Sequence, residues 1–450
     1  MTHCGVIQVL VAGMTMGCAA ILSAADLTVG SGGNYLRIED AIAVAAAGDV
    51  ILVSPQPGDK PYARTHLALF QSRITIRAVN SKGDRVRLEG DGYDYSGQGR
   101  IPRAIVQFNK GADGCVIEGF ELSGAHNTSH NGAGIRINQA NQVTVRDCVI
   151  HRNDMGIMSN GDGTPQTAAD QLIEDCLIHS NGDLTEPGYN HNLYLGGTSV
   201  TLRGCEVHSS LTGHNVKSRA HRTVVLGCYV HDSANREFDL VDDKAYTTSP
   251  GSDAVLAGNV IVKAAKCPGN RAVIHFGQDG GNDHDGMLTM VHNTIVTPFI
   301  SPVIHLSSAR ARTRLFNTIV WDGGAGQKGQ ILFAAGKDPG KAQLVSGACN
   351  WLSSGFHSPD FETLPLQHTV FGSHGAILPF MNVGKGDLRL FRRDPTLVDQ
   401  GCVLPPEVSQ AIGVAILQYS HTRSAEVRPD DGKPDLGAYE FTAGENVKQP

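Results

Sequence analysis

Apolar and polar positions alternate along the middle of the chain in short runs that keep returning with the same punctuation. Four of them read "VRDCVIH" (Val145 to His151), "IEDCLIH" (Ile173 to His179), "LRGCEVH" (Leu202 to His208) and "VLGCYVH" (Val225 to His231). Each is a short strand pattern with Cys in fourth place and His in seventh. The cysteines are 28, 29 and 23 residues apart. The same register continues with Asn in the Cys slot at Asn259, Asn293 and Asn317, and begins upstream with Phe120. A strand-rich repeat of this period, with loops of varying length, cannot bury its apolar face alone and does so by stacking on its neighbours. The pattern predicts an all-β solenoid whose coils lie about 4.8 Å apart, so that equivalent residues form columns.

The column contents follow from that stacking. Cys148, Cys176, Cys205 and Cys228 are expected to face inward as small apolar residues. The Asn positions above them are expected to form a hydrogen-bonded ladder. Equivalent Cα atoms on successive coils suit bridging poorly, and no CxxC spacing occurs, so free thiols are expected. The column His151, His179, His208, His231 reads as a stack of turn residues in preference to a row of metal ligands. Near the start, Ile38, Ala41, Ile42 and Ala45 have helical spacing and Gly48-Asp49 follows. This helix is expected to cap the open end of the solenoid, ahead of the first strand in "VILVSP".

A second strand in each coil carries the candidate chemistry. In register the runs are "GIRIN", "GIMSN", "NLYLG", "NVKSR", "DLVDD", "VIHFG" and "VIHLS". Positions two and four are mostly apolar, so one, three and five are expected to face out. That puts Arg136, Met158, Tyr194, Lys217, Val241, His275 and His305 in one outward column. Asn192, Asn215 and Asp239 fall in the neighbouring column, and Arg219 and Asp243 two residues further on. His191 and His214 mark matching entry turns. The expected patch combines Tyr194, Lys217, Arg219 and His214 as catalytic candidates. Asn192, Asn215, His191, Asp239 and His275 are substrate-binding candidates.

Composition narrows the partners. The 450 residues include 53 Gly and carry a net charge of -7, with 18% charged and 6% aromatic residues. No basic arm is present, which argues against nucleic acid. Val6 to Leu22 is largely apolar and Ser23-Ala24-Ala25 offers small residues for cleavage, so residues 1–25 read as an export signal and the protein as secreted or periplasmic. No later run is long enough for a membrane span, and a monomer is expected. One β-helix domain is expected over 26–441. It divides into cap and first strand (26–55), regular coils (104–335) and closing coils (378–441), followed by a tail (442–450).

"GSGGNYLRIEDAIAVAAAGDVILVSP" (Gly30 to Pro55) resembles the opening of right-handed parallel β-helix proteins of the pectate lyase-like superfamily. "GDLRLFRRDPTLVDQG" and "PDLGAYEF" (Pro434 to Phe441) resemble their closing segments. The resemblance implies a single-stranded, right-handed parallel β-helix acting on, or binding, polysaccharide. It does not choose a reaction, because the fold hosts lyases, hydrolases, epimerases and adhesins. Lys and Arg near a Tyr suit β-elimination on an extended acidic polysaccharide. Arg and Asn would neutralise the carboxylate, while Lys217, its pKa lowered by Arg219, or Tyr194 would move the proton. Lyases of this type carry the Lys and Arg on neighbouring coils; here they share a strand. No cofactor is required, and Asp239, Asp242 and Asp243 are candidate Ca2+ ligands. The alternatives are a hydrolase using Asp239 and Asp243 as paired carboxylates, and a non-catalytic glycan-binding protein.

Overall fold

The computed structural model describes Met1 and residues 24–442, except 80–84, 187, 246–250, 270–271, 280–283, 299, 327, 337–344 and 362–364. The export segment read over residues 1–25 lies almost wholly outside the described residues, as does the tail beyond 442. The chain winds into a solenoid with three long parallel sheets of 13, 10 and 12 strands. A typical rung contributes Ala133–Asn138 to the second sheet, Thr144–Arg146 to the first and Val149–Ile150 to the third. Inward residues such as Ile135, Val145, Ile150, Ile157, Ile173 and Val216 belong to one continuous buried cluster. Burying each large aliphatic side chain contributes about 1.5–3 kcal/mol.

The repeated heptapeptide is two strands with a bend between them. One residue there is left-handed in each rung: Asp147, Asp175, Gly204, Gly227, Gly258, His292, Asn317 and Cys349 all have φ between 46° and 69°. Asp, Asn, His and Gly tolerate this conformation best. The next residue points inward, giving the column Cys148, Cys176, Cys205, Cys228, Asn259, Asn293, Thr318, Asn350. All eight are buried. The four cysteines are free thiols. Asn259 Nδ2 donates to Asn293 Oδ1 at 3.0 Å and to Val225 O at 3.0 Å, so the amide binds both its neighbour and the bend backbone. One expectation is displaced: Asn317 occupies the left-handed bend, and Thr318 takes the inward slot.

The N-terminal helix α1 (Ile38–Val44) buries Ile38 and Ala41 against the first rungs. Asp49 closes that cap, accepting from Ala25 N at 2.8 Å and Ala46 N at 2.7 Å. Rungs extend beyond the most regular repeat, from Asp26–Val29 to Val370–Phe371. The segment after 378 departs from the expected extra coils. It forms the antiparallel pairs Phe380–Asn382 with Asp387–Leu390 and Leu417–Ser420 with Ser424–Val427, plus helix α2 (Pro406–Ile412). It packs back on outward apolar side chains: Tyr229, Trp321 and Trp351 meet Leu388, Tyr419 and Tyr439, while Val224, Val255 and Val291 meet Val408 and Ile412. These residues lie on the first and third sheets. Among the described residues no helix is long and apolar enough to cross a membrane.

Candidate functional site

The outer face of the second sheet is polar. Parallel pairing stacks Arg136, Met158, Tyr194, Lys217, Asp239, His275 and His305 in one outward column. Asp239 therefore sits directly above Lys217, where the sequence register put Val241. A slip of two residues preserves the inward and outward alternation, so the pattern cannot detect it.

Asp239 is the centre of the site, with only 1% of its surface exposed. Its Oδ2 accepts from Lys217 Nζ at 2.8 Å and lies 3.4 Å from His214 Nε2. Its Oδ1 meets His275 Nδ1 at 2.7 Å and also accepts from Arg236. Burial alone would push this carboxyl up, but His214, His275 and Lys217 outweigh it and hold the group well below the usual carboxylate range. A carboxyl held in that direction is better suited to anchoring its basic neighbours than to donating a proton. His275 is fixed from its far side by Ser307 Oγ, 2.6 Å from Nε2.

Lys217 contradicts its expected state. Burial would lower its pKa, but Asp239 and Asp279 raise it, so the amine stays charged and is no base in this arrangement. Its Nζ also donates to Asp279 Oδ2 at 2.7 Å, and Arg219 Nη2 reaches that same oxygen at 2.6 Å. Asp279 is 39% exposed at its side chain, whereas Lys217 is 10% exposed. The Tyr194 ring lies below the amine, 5.9 Å from Nζ to its centroid.

His191 and His214 stack at 4.9 Å, and His191 stacks on Tyr194 at 5.5 Å. Backbone N–H groups of His214 and Arg236 donate to the Nδ1 atoms of His191 and His214, at 3.0 and 3.2 Å. Each ring therefore carries its proton on Nε2. Burial pushes His214 down to about 3, and burial, His214 and Lys217 push His191 well below its ordinary value. Both are neutral spacers that build the wall under Lys217.

Two candidates leave the surface entirely. Asn192 and Asn215 are fully buried. They continue an internal ladder in which Asn153, Asn181, Asn192 and Asn215 each donate to the next, and Asn215 Nδ2 ends on Glu237 Oε2 at 2.6 Å. Buried Lys263 lies 3.3 Å from Glu237 Oε1. Their matching HN pattern therefore records a structural ladder. The proposed Ca2+ ligands do not converge either. Asp239 is already paired with Lys217 and Arg236, Asp242 Oδ1 accepts from Asp279 N, and Asp243 Oδ1 accepts from Ala245 N at 2.8 Å. A further cation gains little from a carboxylate whose two oxygens already hold Lys217 and Arg236. Among the described residues the group suited to a metal is Glu206, His208 and His231, on the third sheet.

Arg236, Asp279 and Ser307 complete the site without having been picked out as members. Asp279 had a signal, since it lies in the oxygen-rich stretch "QDGGNDHDG" (Gln278 to Gly286), although residues 280–283 are outside the described residues. Two hollows flank the column. One of about 260 Å³ is lined by Asn160, Tyr194, Arg219 and Asp243. Another of about 660 Å³ is lined by Phe70, Arg100, Arg103, Gln107 and Arg136. Arg136 is three rungs from Lys217, roughly 14 Å along the sheet.

Residues 133–309 match the family model described as a right handed beta helix region. The chain is a right-handed parallel β-helix. Solved structures similar to this β-helix include pectate lyase Pel9A, 14% identical over 94% of this chain and 98% of that one, with a TM-score of 0.48. A pectin methylesterase from carrot is 11% identical over 81% of this chain and 86% of that chain (TM-score 0.36). A tailspike protein double mutant of E. coli bacteriophage HK620, in complex with a pentasaccharide, is 12% identical over 77% and 70% (TM-score 0.44). No curated protein sequence matches the chain.

Proposed function

We propose that the β-helix binds an extended acidic glycan along its second sheet and cleaves it by β-elimination at Tyr194. The observation that carries this reading is the bridge at Asp279. Lys217 and Arg219 converge on one carboxylate oxygen of an accessible side chain. Two cations pre-arranged around a carboxylate are a receptor for a carboxylate, and a uronate group can take the place of Asp279. Arg136 and Arg103 extend positive charge along the same face, as a polyanion bound across several rungs requires.

The chemistry divides among the residues by position. Lys217 and Arg219 neutralise the substrate carboxylate and so acidify the carbon-bound proton beside it. The Tyr194 oxygen, reacting as the phenolate, accepts that proton and becomes the phenol. The C–H electron pair becomes the new C=C bond, the neighbouring C–O bond breaks, and the departing oxygen takes a proton back from the phenol. Asp239, Arg236, His214 and His275 hold Lys217 in place.

A panel of uronate polymers tests the reading through the ultraviolet absorbance of the conjugated product. Absorbance should appear with wild type and vanish with Tyr194→Phe. Reducing ends without absorbance would replace elimination by hydrolysis. Binding without product would leave a glycan-binding protein. Asp279→Asn should tighten binding of a uronate oligomer, and Arg219→Gln should weaken it at least about tenfold, the loss of one charge-assisted bond. Equal affinity in all three proteins would remove the carboxylate site itself.

A further inference from the structure

On the third sheet, a different face from the one that carries Lys217 and Asp239, the histidine column has an uneven chemistry. The rings of His151, His179, His208 and His231 stack at 5.1, 4.9 and 4.7 Å, within 14° of parallel. Over most of its length this is the stack of turn residues that the repeat implies. At its upper end a carboxylate joins it. Glu206 precedes His208 by two residues on the same strand, so both project from one face. One ligand atom from each of Glu206, His208 and His231 lies within 4.8 Å of the other two, and all three residues are partly exposed.

We infer that Glu206, His208 and His231 form a binding site for a divalent transition metal of the zinc class. Three features beyond proximity point to it. Nδ1 of each ring already has a partner, which leaves Nε2 for an ion: His208 Nδ1 pairs with Ser209 Oγ at 2.9 Å, and His231 Nδ1 with Asp232 Oδ2 at 2.8 Å. A carboxylate behind a metal-ligating imidazole is the usual supporting contact, because it fixes the tautomer and aims the ring. Glu206 is braced in the same way, its Oε2 accepting from the Tyr419 hydroxyl at 3.1 Å. His231 Nε2 is buried and faces Glu206 Oε1 at 3.5 Å, an ion pair that already draws the two candidate ligands together.

Two imidazoles and one carboxylate are a borderline donor set. They suit Zn2+ and its neighbours, and they suit Ca2+ poorly, since Ca2+ takes six to eight oxygens. Zinc–nitrogen bonds of about 2.0–2.1 Å put ligand nitrogens roughly 3.3 Å apart. The two rings must therefore turn out of their parallel stack so that both in-plane nitrogen lone pairs meet at one ion, a side-chain rotation of partly exposed residues. Three protein ligands leave a fourth position for water. The bound ion would tie two neighbouring rungs together. Through Tyr419 it would also tie them to the C-terminal hairpin Leu417–Ser420 and Ser424–Val427.

The full chain, stripped with chelator, is titrated calorimetrically with ZnCl2 and separately with CaCl2. One saturable zinc site is expected, with no comparable calcium site, and zinc should raise the thermal midpoint because it binds the folded state. Glu206→Gln and His208→Gln should each weaken zinc at least about tenfold, and Tyr419→Phe should weaken it less. His179→Gln, in the same stack but outside the set, should bind as wild type. Equal zinc affinity in wild type and the Glu206→Gln/His208→Gln double variant overturns the site, as does an equal loss in His179→Gln. If the variants fold poorly, anomalous diffraction from zinc-soaked wild-type crystals decides. Density between the three side chains supports the site, and density only elsewhere overturns it.

Discussion

Asp239 shows how burial and charge together set a role. A buried carboxylate with four basic neighbours is stable only while they remain, so removing its charge strands them. Asp239→Asn should destabilise the protein by about 3–5 kcal/mol, the usual cost of breaking a buried ion pair from one side. Urea unfolding of the variant measures it, and a change below about 1 kcal/mol would mean that the cations find other partners. The identity of most of these residues was legible in the sequence: Tyr194, Lys217, Arg219, Asp239, His214 and His275 do share one wall. Their electrical states were not. Lowering of the Lys217 pKa by Arg219 is a sound argument for two isolated cations. It fails because Asp239, reached through a two-residue shift of register, and Asp279, brought in by a loop, add two carboxylates that no local pattern couples to Lys217.

The rungs are held by columns as much as by strands. Asn181 donates from its amide to Asn192 Oδ1 at 3.0 Å and to Ile150 O at 3.1 Å, and accepts from Asn153. Asn181→Ala would leave the amide of Asn153 and the carbonyl of Ile150 short of partners inside the core. The expected loss is about 1–3 kcal/mol for each buried group left unsatisfied, read from the thermal or urea midpoint. The cysteine column predicts a reactivity order. Cys148, Cys176, Cys205 and Cys228 are fully buried, whereas Cys267 and Cys402 are partly exposed. Alkylation of native protein, followed by mass spectrometry, should modify Cys267 and Cys402 first and the column only on unfolding. Early labelling of Cys176 or Cys205 would mean that the rungs open locally. These columns were readable from sequence because the bend imposes one left-handed residue and then one inward residue in every rung. Asn192 and Asn215 misled because an inward ladder and an outward binding row leave the same repeated amide.

Buried neutral histidines give the molecule an acid limit above the carboxylate range. Burial lowers His191 and His292 well below their ordinary value, His214 to about 3 and His305 to about 4. In the unfolded chain each titrates near about 6.5. Between those values the unfolded state binds more protons, so stability is fully present above about pH 6.5 and falls as pH drops toward 4. His126 and His130 are raised, by Asp154 and Asp183 respectively, and contribute stability that is present below about 6.5 and lost as pH rises above it. The thermal midpoint should therefore peak close to neutral pH and decline already between pH 6.5 and 5. A flat profile over that interval would show that the rings stay solvated. The same burial has a counterpart in the closing segment, which covers the outer apolar positions of the first and third sheets and lies away from the second. Sequence alone determined that the chain is a stacked solenoid, which residues punctuate each rung and which side chains alternate in and out, because those properties repeat locally with periods the backbone dictates. Only the tertiary structure decided which rungs align residue for residue, which face stays uncovered and how each charge is neutralised. Those outcomes depend on loops of unequal length and on contacts between residues as far apart as Glu206 and Tyr419.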